Sequence, residues 1–413
     1  MLPRSAIRPG FLLVFGRELR WLKRRPLLVV LTTVLPLALM GLLMLVFSQG
    51  LATRLHIGVL DLDGSDLSRT IVRTVDATAD DAVAVRVADL AEGRQKILSG
   101  EVSGLLMIPE NLERDVFAGR RPEVVFFYNT QMLTTGNLVL RGVSAAVPSV
   151  AAGIRLSLRT AQGQPIEAAR SSLSPIPVQT HPLFNPTMNY IYFLLAATLP
   201  TVLQIIIVTS STYSAAMDFE TNHRLRILRR LGGGLWPAFL GKIVPYTFVY
   251  LAVLGTADAV MFGVLGLPLH GSRGLLLLAG VLFMLSCQML GTLLALVVHP
   301  MSSAIGIGAL LTSPAFGFMG IGFPRMGMSM FAYSWGACLP GTWYLTARID
   351  QIVRGTPADL SMKPILILAG FVVGLTGLVA LKLESIRSAT DRRRLSPPSA
   401  PPSAQMVLVL NLC

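Results

Sequence analysis

The chain has 413 residues, 53% of them hydrophobic and only 14% charged. Soluble domains carry roughly a quarter of their residues as charged side chains, so this composition excludes an ordinary soluble protein and indicates a polytopic membrane protein. The formal net charge is +13, but the surplus sits beside apolar runs, where anionic membrane lipid is a sufficient partner, and no nucleic-acid-reading motif accompanies it.

Residues 1–25 contain a predicted amphipathic elbow helix. Phe11, Phe15, Leu19 and Leu22 fall on one face and Arg17, Arg20 and Arg24 on the other, the pattern of a helix lying in the headgroup layer. Residues 27–47 follow as the first span, since at roughly 1.5 Å per residue they cross about 30 Å of hydrocarbon. Arginines ahead of it set the N-terminus inside.

Residues 52–186 have soluble character and predict a small α/β domain outside the membrane. Alternating apolar stretches at 56–62, 83–87, 104–108 and 124–128 read as strands. Between them, 65–78, 89–98 and 109–118 read as helices opened by Ser, Asp or Pro. A longer helix is expected over 134–160, interrupted near Pro148, and the Pro-rich passage 174–186 closes the domain as a linker.

Five further apolar runs, 188–215, 243–265, 275–298, 303–323 and 364–381, bring the predicted spans to six, so the expected fold is a polytopic α-helical membrane protein with an inserted extracytoplasmic α/β domain. The basic segments 217–242 and 382–413 then face the cytoplasm, the latter as a disordered tail, and 324–363 forms an outer loop. In that loop Tyr333, Trp335, Trp343 and Tyr344 suit an aromatic belt at the outer interface. The 217–242 loop is more than a turn: Leu225, Leu228 and Leu231, interleaved with arginines and stopped by Gly232-Gly233-Gly234, predict a short amphipathic helix along the inner surface.

Chemistry-bearing motifs are scarce. The nearest approach to a Walker A loop, 234–242, has the wrong spacing and places Ile243 where a magnesium-holding Ser or Thr must stand, which excludes ATP binding in that manner. Five histidines without ligand spacing predict no metal site, and nothing marks a catalytic nucleophile. Asp258 is a carboxylate inside a span and a functional candidate, with Gln204 and Gln288, for lining a translocation path. The competing reading makes Asp258 a residue bonded within the bundle and the two glutamines interhelical hydrogen-bond partners.

Residues 15–26, Phe184-Asn185-Pro186, Gly241-Lys242 with Pro245-Tyr246, Leu339-Pro340 with Thr342, Tyr344 and Leu345, and Arg354-Gly355 occur in an order that resembles the permease subunits of ABC-2 type exporters with a large extracytoplasmic domain after the first span. The resemblance implies six spans per subunit, a second permease (an identical copy or a paralogue), and a separate cytoplasmic ABC ATPase that binds ATP and magnesium. It implies no cofactor in this chain, a bacterial inner membrane with both termini cytoplasmic, and a role for a periplasmic adaptor. The expected cargo is hydrophobic or amphipathic, drug-like or lipid-like, moved out of the cytoplasm or inner leaflet. Glu220, Arg224, Arg226, Leu228, Arg229 and Arg230 are the expected contacts to the ATPase. Where such permeases usually read Glu-Arg-Gly-Thr, this chain reads Glu220-Thr221-Asn222-His223. A membrane-anchored extracytoplasmic sensor and an ion-coupled exporter are the other functions considered; the scarcity of intramembrane charge weighs against the latter.

Overall fold

The computed structural model describes residues 9–46, 52–131, 133–167, 183–185, 189 and 191–395. The chain divides into two compact units, one made of Met1–Ser48 with Leu183–Cys413 and the other of Gln49–Pro182. Helix α1 (Phe11–Arg24) and helix α2 (Pro26–Val46), which carries a π turn at Val30–Val34, open the first unit.

The second unit runs β1 (Leu55–Asp61), α3 (Asp66–Asp76), β2 (Asp81–Arg86), α4 (Leu90–Leu98), β3 (Gly104–Ile108), α5 (Leu112–Phe117), β4 (Val125–Tyr128) and α6 (Leu133–Ala161). The sheet order is β2-β1-β3-β4, with β1 parallel to β2 and β3, and β4 antiparallel to β3. Parallel neighbours need a crossover, which α3 and α4 supply. The caps are those the sequence announces: Ser65 accepts from the Ser68 N–H at 3.1 Å, and Asp89 from the Glu92 N–H at 2.7 Å. Ile57, Val59, Leu106 and Ile108 pack under Ile71, Val75, Val139 and Val143. Helix α6 runs without a break through Pro148, correcting the expected interruption: one lost N–H bond does not outweigh the packing of its apolar face within the unit. The predicted linker 174–186 lies almost wholly outside the described residues.

The first unit resumes with a π turn at Ile191–Leu195 and continues through α7 (Ala196–Phe219), α8 (Asn222–Gly232), α9 (Leu235–Gly263) and α10 (Arg273–Val297). After these come α11 (Met301–Thr312), α12 (Ala315–Phe318), α13 (Met330–Ala337), α14 (Pro340–Ile349) with a π turn at Asp350–Arg354, and α15 (Ala358–Leu395). Helix α10 is central, packed against α7, α9, α14 and α15. At Gly291 a Cβ would stand 2.5 Å from the Val208 carbonyl oxygen, so α7 and α10 approach at backbone distance, and Thr212 donates across the gap to the Gly291 carbonyl at 3.0 Å.

Seven helices among the described residues are long and apolar enough to cross a membrane, α6 being the one beyond the six expected. The expected span 303–323 is matched by the apolar stretch Met301–Phe318, which turns at Ser313-Pro314, where a proline would clash with the preceding turn. Two expectations are corrected. The segment 324–363 is largely helical and partly buried: Tyr344, expected at the interface, is fully buried and stacks on Phe283 with centroids 4.5 Å apart. Helix α15 continues to Leu395, well past the expected end at 381, because Lys382, Glu384, Arg387 and the arginines after them favour a helix once one is running. The rest of the expected tail, 396–413, lies outside the described residues.

Candidate functional site

Helix α1 does not present the face its hydrophobic pattern suggests. Val14 and Glu18, one turn apart, are fully buried, while Leu12 and Leu19 are exposed. Arg17, assigned to the outward polar face, turns inward. Its Nη2 donates to both carboxylate oxygens of Asp218, at 2.6 and 2.8 Å. Lys242 Nζ donates to Asp218 Oδ2 at 2.7 Å and to Glu18 Oε2 at 3.4 Å, and the Tyr246 hydroxyl donates to the same Glu18 oxygen at 3.3 Å. Two cations and two carboxylates thus form a neutral cluster, with Glu18, Asp218 and Lys242 buried.

The cluster ties together the elbow α1, the end of α7 and the start of α9, the two helices that flank α8. Close packing makes this possible: a Cβ at Gly241 would lie 2.8 Å from the Phe11 carbonyl oxygen and from Val14 Cβ, so only glycine lets α1 lie against α9. The Gly10 N–H donates to the Leu231 carbonyl at 2.9 Å, joining the elbow to the end of α8 as well. Helix α8 stops at Gly233, whose φ of 68° is the left-handed conformation of a glycine C-cap.

The six predicted coupling residues take different positions. Glu220 accepts from the Met301 N–H at 3.0 Å, placing a carboxylate at the N-terminus of α11, where unpaired N–H groups and the helix dipole favour it. Arg224 is exposed and donates to the Met217 carbonyl at 2.9 Å, near the C-terminal end of α7. Arg226 and Arg230 are exposed and Arg229 is half-buried. Leu228 is the correction: it packs inward with Leu225, Phe219, Ala238 and Phe239, anchors the helix, and offers no contact surface.

The three path candidates do not converge. Gln204 Oε1 accepts from the Gly341 N–H at 2.7 Å, tying α7 to the first turn of α14. Gln288 Oε1 accepts from the Thr247 hydroxyl at 2.8 Å, on α9. Asp258 pairs with Arg348, which is fully buried, also donates to the Tyr344 hydroxyl at 3.0 Å, and went unrecognised in the sequence because 324–363 read as a loop. The signal was available: Pro340 is a helix-start residue and Tyr344 and Arg348 follow at helical spacing. Asp258 also lines a groove of about 680 Å³ with Leu251, Leu254, Phe262, Arg273 and Leu277, a mainly apolar surface with one carboxylate and one arginine.

The decisive observation is a match of the sequence profile described as ABC-2 family transporter protein to residues 26–381. The chain belongs to the ABC-2 family of transporter proteins. No curated protein matches it. As an ABC-2 family member it is a multi-pass membrane protein and a permease component of an ABC transporter, normally not itself catalytic, and the family implies association with an ABC ATPase subunit. The match begins after α1, so the elbow's part in an ABC-2 permease rests here on the ion cluster that binds it to α7 and α9.

Proposed function

We propose that this ABC-2 permease is the route-forming subunit of an ATP-driven exporter that carries a hydrophobic or amphipathic cargo, drug-like or lipid-like, out of the cytoplasm or inner leaflet. It would cross a bacterial inner membrane six times, with both termini in the cytoplasm and the α/β unit outside. A second permease would complete the path, ATP and magnesium would belong to the ATPase subunit, and the outer unit would meet a periplasmic adaptor.

The observation that carries this reading is the buried Arg17–Asp218–Lys242–Glu18 cluster, which joins the elbow to the two long helices flanking α8, while α8 itself is held by the Gly10–Leu231 bond and by Leu225 and Leu228 packed on Phe219, Ala238 and Phe239. A helix so anchored passes a push from an ATPase to the spans; a flexible loop would absorb it. Glu220 extends the linkage to α11. Arg224, Arg226 and Arg230 form the exposed contact surface, with Arg229 beside them and Leu228 and Leu225 as the anchors beneath. Charge reversal by Arg224→Glu should abolish co-purification of the ATPase, or uncouple its turnover from transport, while the permease stays monodisperse. Unchanged assembly and transport would remove the assignment.

The Asp258–Arg348 pair is the one observation that favours an ion-coupled exporter, since a carboxylate with a cationic partner inside the bundle is what a proton relay requires. That reading demands transport that survives loss of the ATPase and collapses with the proton gradient.

A further inference from the structure

Gly255, Ala259 and Gly263 recur at every fourth position along α9, and all three are exposed. Residues four apart share one face of a helix, so this face carries almost no side-chain bulk. No atom lies within 4 Å of the place a Cβ would take at Gly255 or Gly263. The three residues floor the groove of about 680 Å³ that α9 forms with the start of α10, walled by Leu251, Phe262 and Leu277. That volume lies within the range of small-molecule sites, about 300–1,000 Å³, and has room for a lipid headgroup with the upper part of its chains.

Two charged groups line this groove near one face of the membrane. Asp258 lies five residues before the end of α9, about 8 Å along the helix. Arg273 is the first residue of α10, where the positive helix end adds to the guanidinium. Since the polar layer on each side of a bilayer is roughly 5–8 Å deep, both stand within reach of a headgroup. Arg348 bonds Asp258 through Oδ1, and the Asp258 side chain keeps 19% of its surface exposed. A carboxylate has about four acceptor positions, so Asp258 takes further N–H donors beside Arg348.

These two charges select a headgroup. A lipid phosphate belongs on Arg273, and the group beyond the phosphate then meets Asp258. There a primary ammonium gives charge-assisted N–H bonds, a glycerol hydroxyl gives a weaker bond, and a trimethylammonium has no N–H to give. We infer that the groove binds phosphatidylethanolamine, its phosphate on Arg273, its ammonium on Asp258 and its acyl chains along Leu251 and Leu277. The inference needs only that α9 and α10 cross the membrane, and it is independent of the coupling surface and of the direction of transport proposed above. Asp258 then serves a lipid and not a translocation path, in keeping with the failure of the three path candidates to converge.

The test reconstitutes the full-length protein in equal parts of phosphatidylethanolamine, phosphatidylcholine and phosphatidylglycerol, releases it into uncharged detergent and reads retained lipid by native mass spectrometry. Wild type should retain phosphatidylethanolamine over phosphatidylcholine by about tenfold, the effect of one hydrogen bond to a charged group. Stepwise N-methylation of the ethanolamine should lower retention in step. Equal retention of all three lipids would mean unspecific annular lipid and overturn the site, and a preference for phosphatidylglycerol would overturn the amine assignment. Gly255→Leu, which fills the floor of the groove without meeting another atom, should abolish the preference, and Arg273→Gln, at an exposed position, should weaken retention about fivefold. Gly377→Leu, equally open but on α15, should retain lipid as wild type does. Wild-type retention in both groove variants, or equal loss in Gly377→Leu, would overturn the site. Displacement of the lipid by free phosphoethanolamine would show that the acyl chains play no part and overturn the lipid assignment. Each variant should stay monodisperse and co-purify with the ATPase as wild type does, so this site and the coupling surface fail or stand separately.

Discussion

Lys242 is a buried cation held between two carboxylates. With Asp218 and Glu18 buried around it, an alanine there leaves Arg17 alone against two carboxylates, and uncompensated charge of this kind costs about 3–5 kcal/mol. Lys242→Ala should lower the melting temperature in detergent sharply, and adding Glu18→Gln should restore much of the loss. If the single variant melts like wild type, the cluster does not brace the elbow against α7 and α9. In the other unit, Asp81 is fully buried beside Asp80, and a Cβ at Gly142 would overlap its Oδ2. Burial, reinforced by the Asp80 charge, pushes its pKa up from 3.8 to about 7. Between those values the folded state holds a proton that the unfolded state has lost, so stability falls as pH rises through that window and levels off above it. Rate-corrected hydrogen exchange of β2 in the whole protein should quicken between pH 5 and about 7.5 and lose that dependence in Asp81→Asn; a flat profile in wild type would contradict the shift. Some of this chemistry was legible in advance. Asp258 stood out as an acid in an apolar run, whereas Glu18 went unmarked and Arg17 was assigned to the wrong face. Pairings across more than 200 residues, such as Arg17 with Asp218, leave no mark in a single sequence.

At the scale of elements, the α/β unit was read almost residue for residue. Its inner strands β1 and β3 are buried in near-continuous apolar runs, its edge strand β2 alternates over 83–86, and α3 and α4 carry side-chain caps, so local pattern and tertiary demand agree. The long helices were placed but misjudged at their ends. Hydropathy marks where a helix meets lipid, whereas α9 starts at Leu235 and α15 runs to Leu395 because a helix does not stop at the hydrocarbon edge. Segment 324–363 was misread for the opposite reason: its helices α13 and α14 are too short to register as spans. Small residues set how these elements meet. Gly291→Leu would force α7 and α10 apart at the Val208 carbonyl, and should sharply reduce the yield of monodisperse protein, while Gly377→Leu, with open space at its Cβ, should not. Equal yields would show that the close approach does not matter for assembly.

For the molecule as a whole, the proposed function makes one lever of the elbow, α7, α8 and α9. Ion pairs join three of these helices, the Gly10–Leu231 bond joins the fourth, and Glu220 reaches α11. Nothing in this lever supplies energy; it gives an external motor something stiff to push. The most direct test places the purified permease in sealed vesicles, alone and with its cognate ATPase, and measures ATP turnover together with movement of an amphipathic dye. The account predicts neither activity from the permease alone, and both, coupled, from the complex. ATP cleavage or dye movement by the permease alone would contradict it.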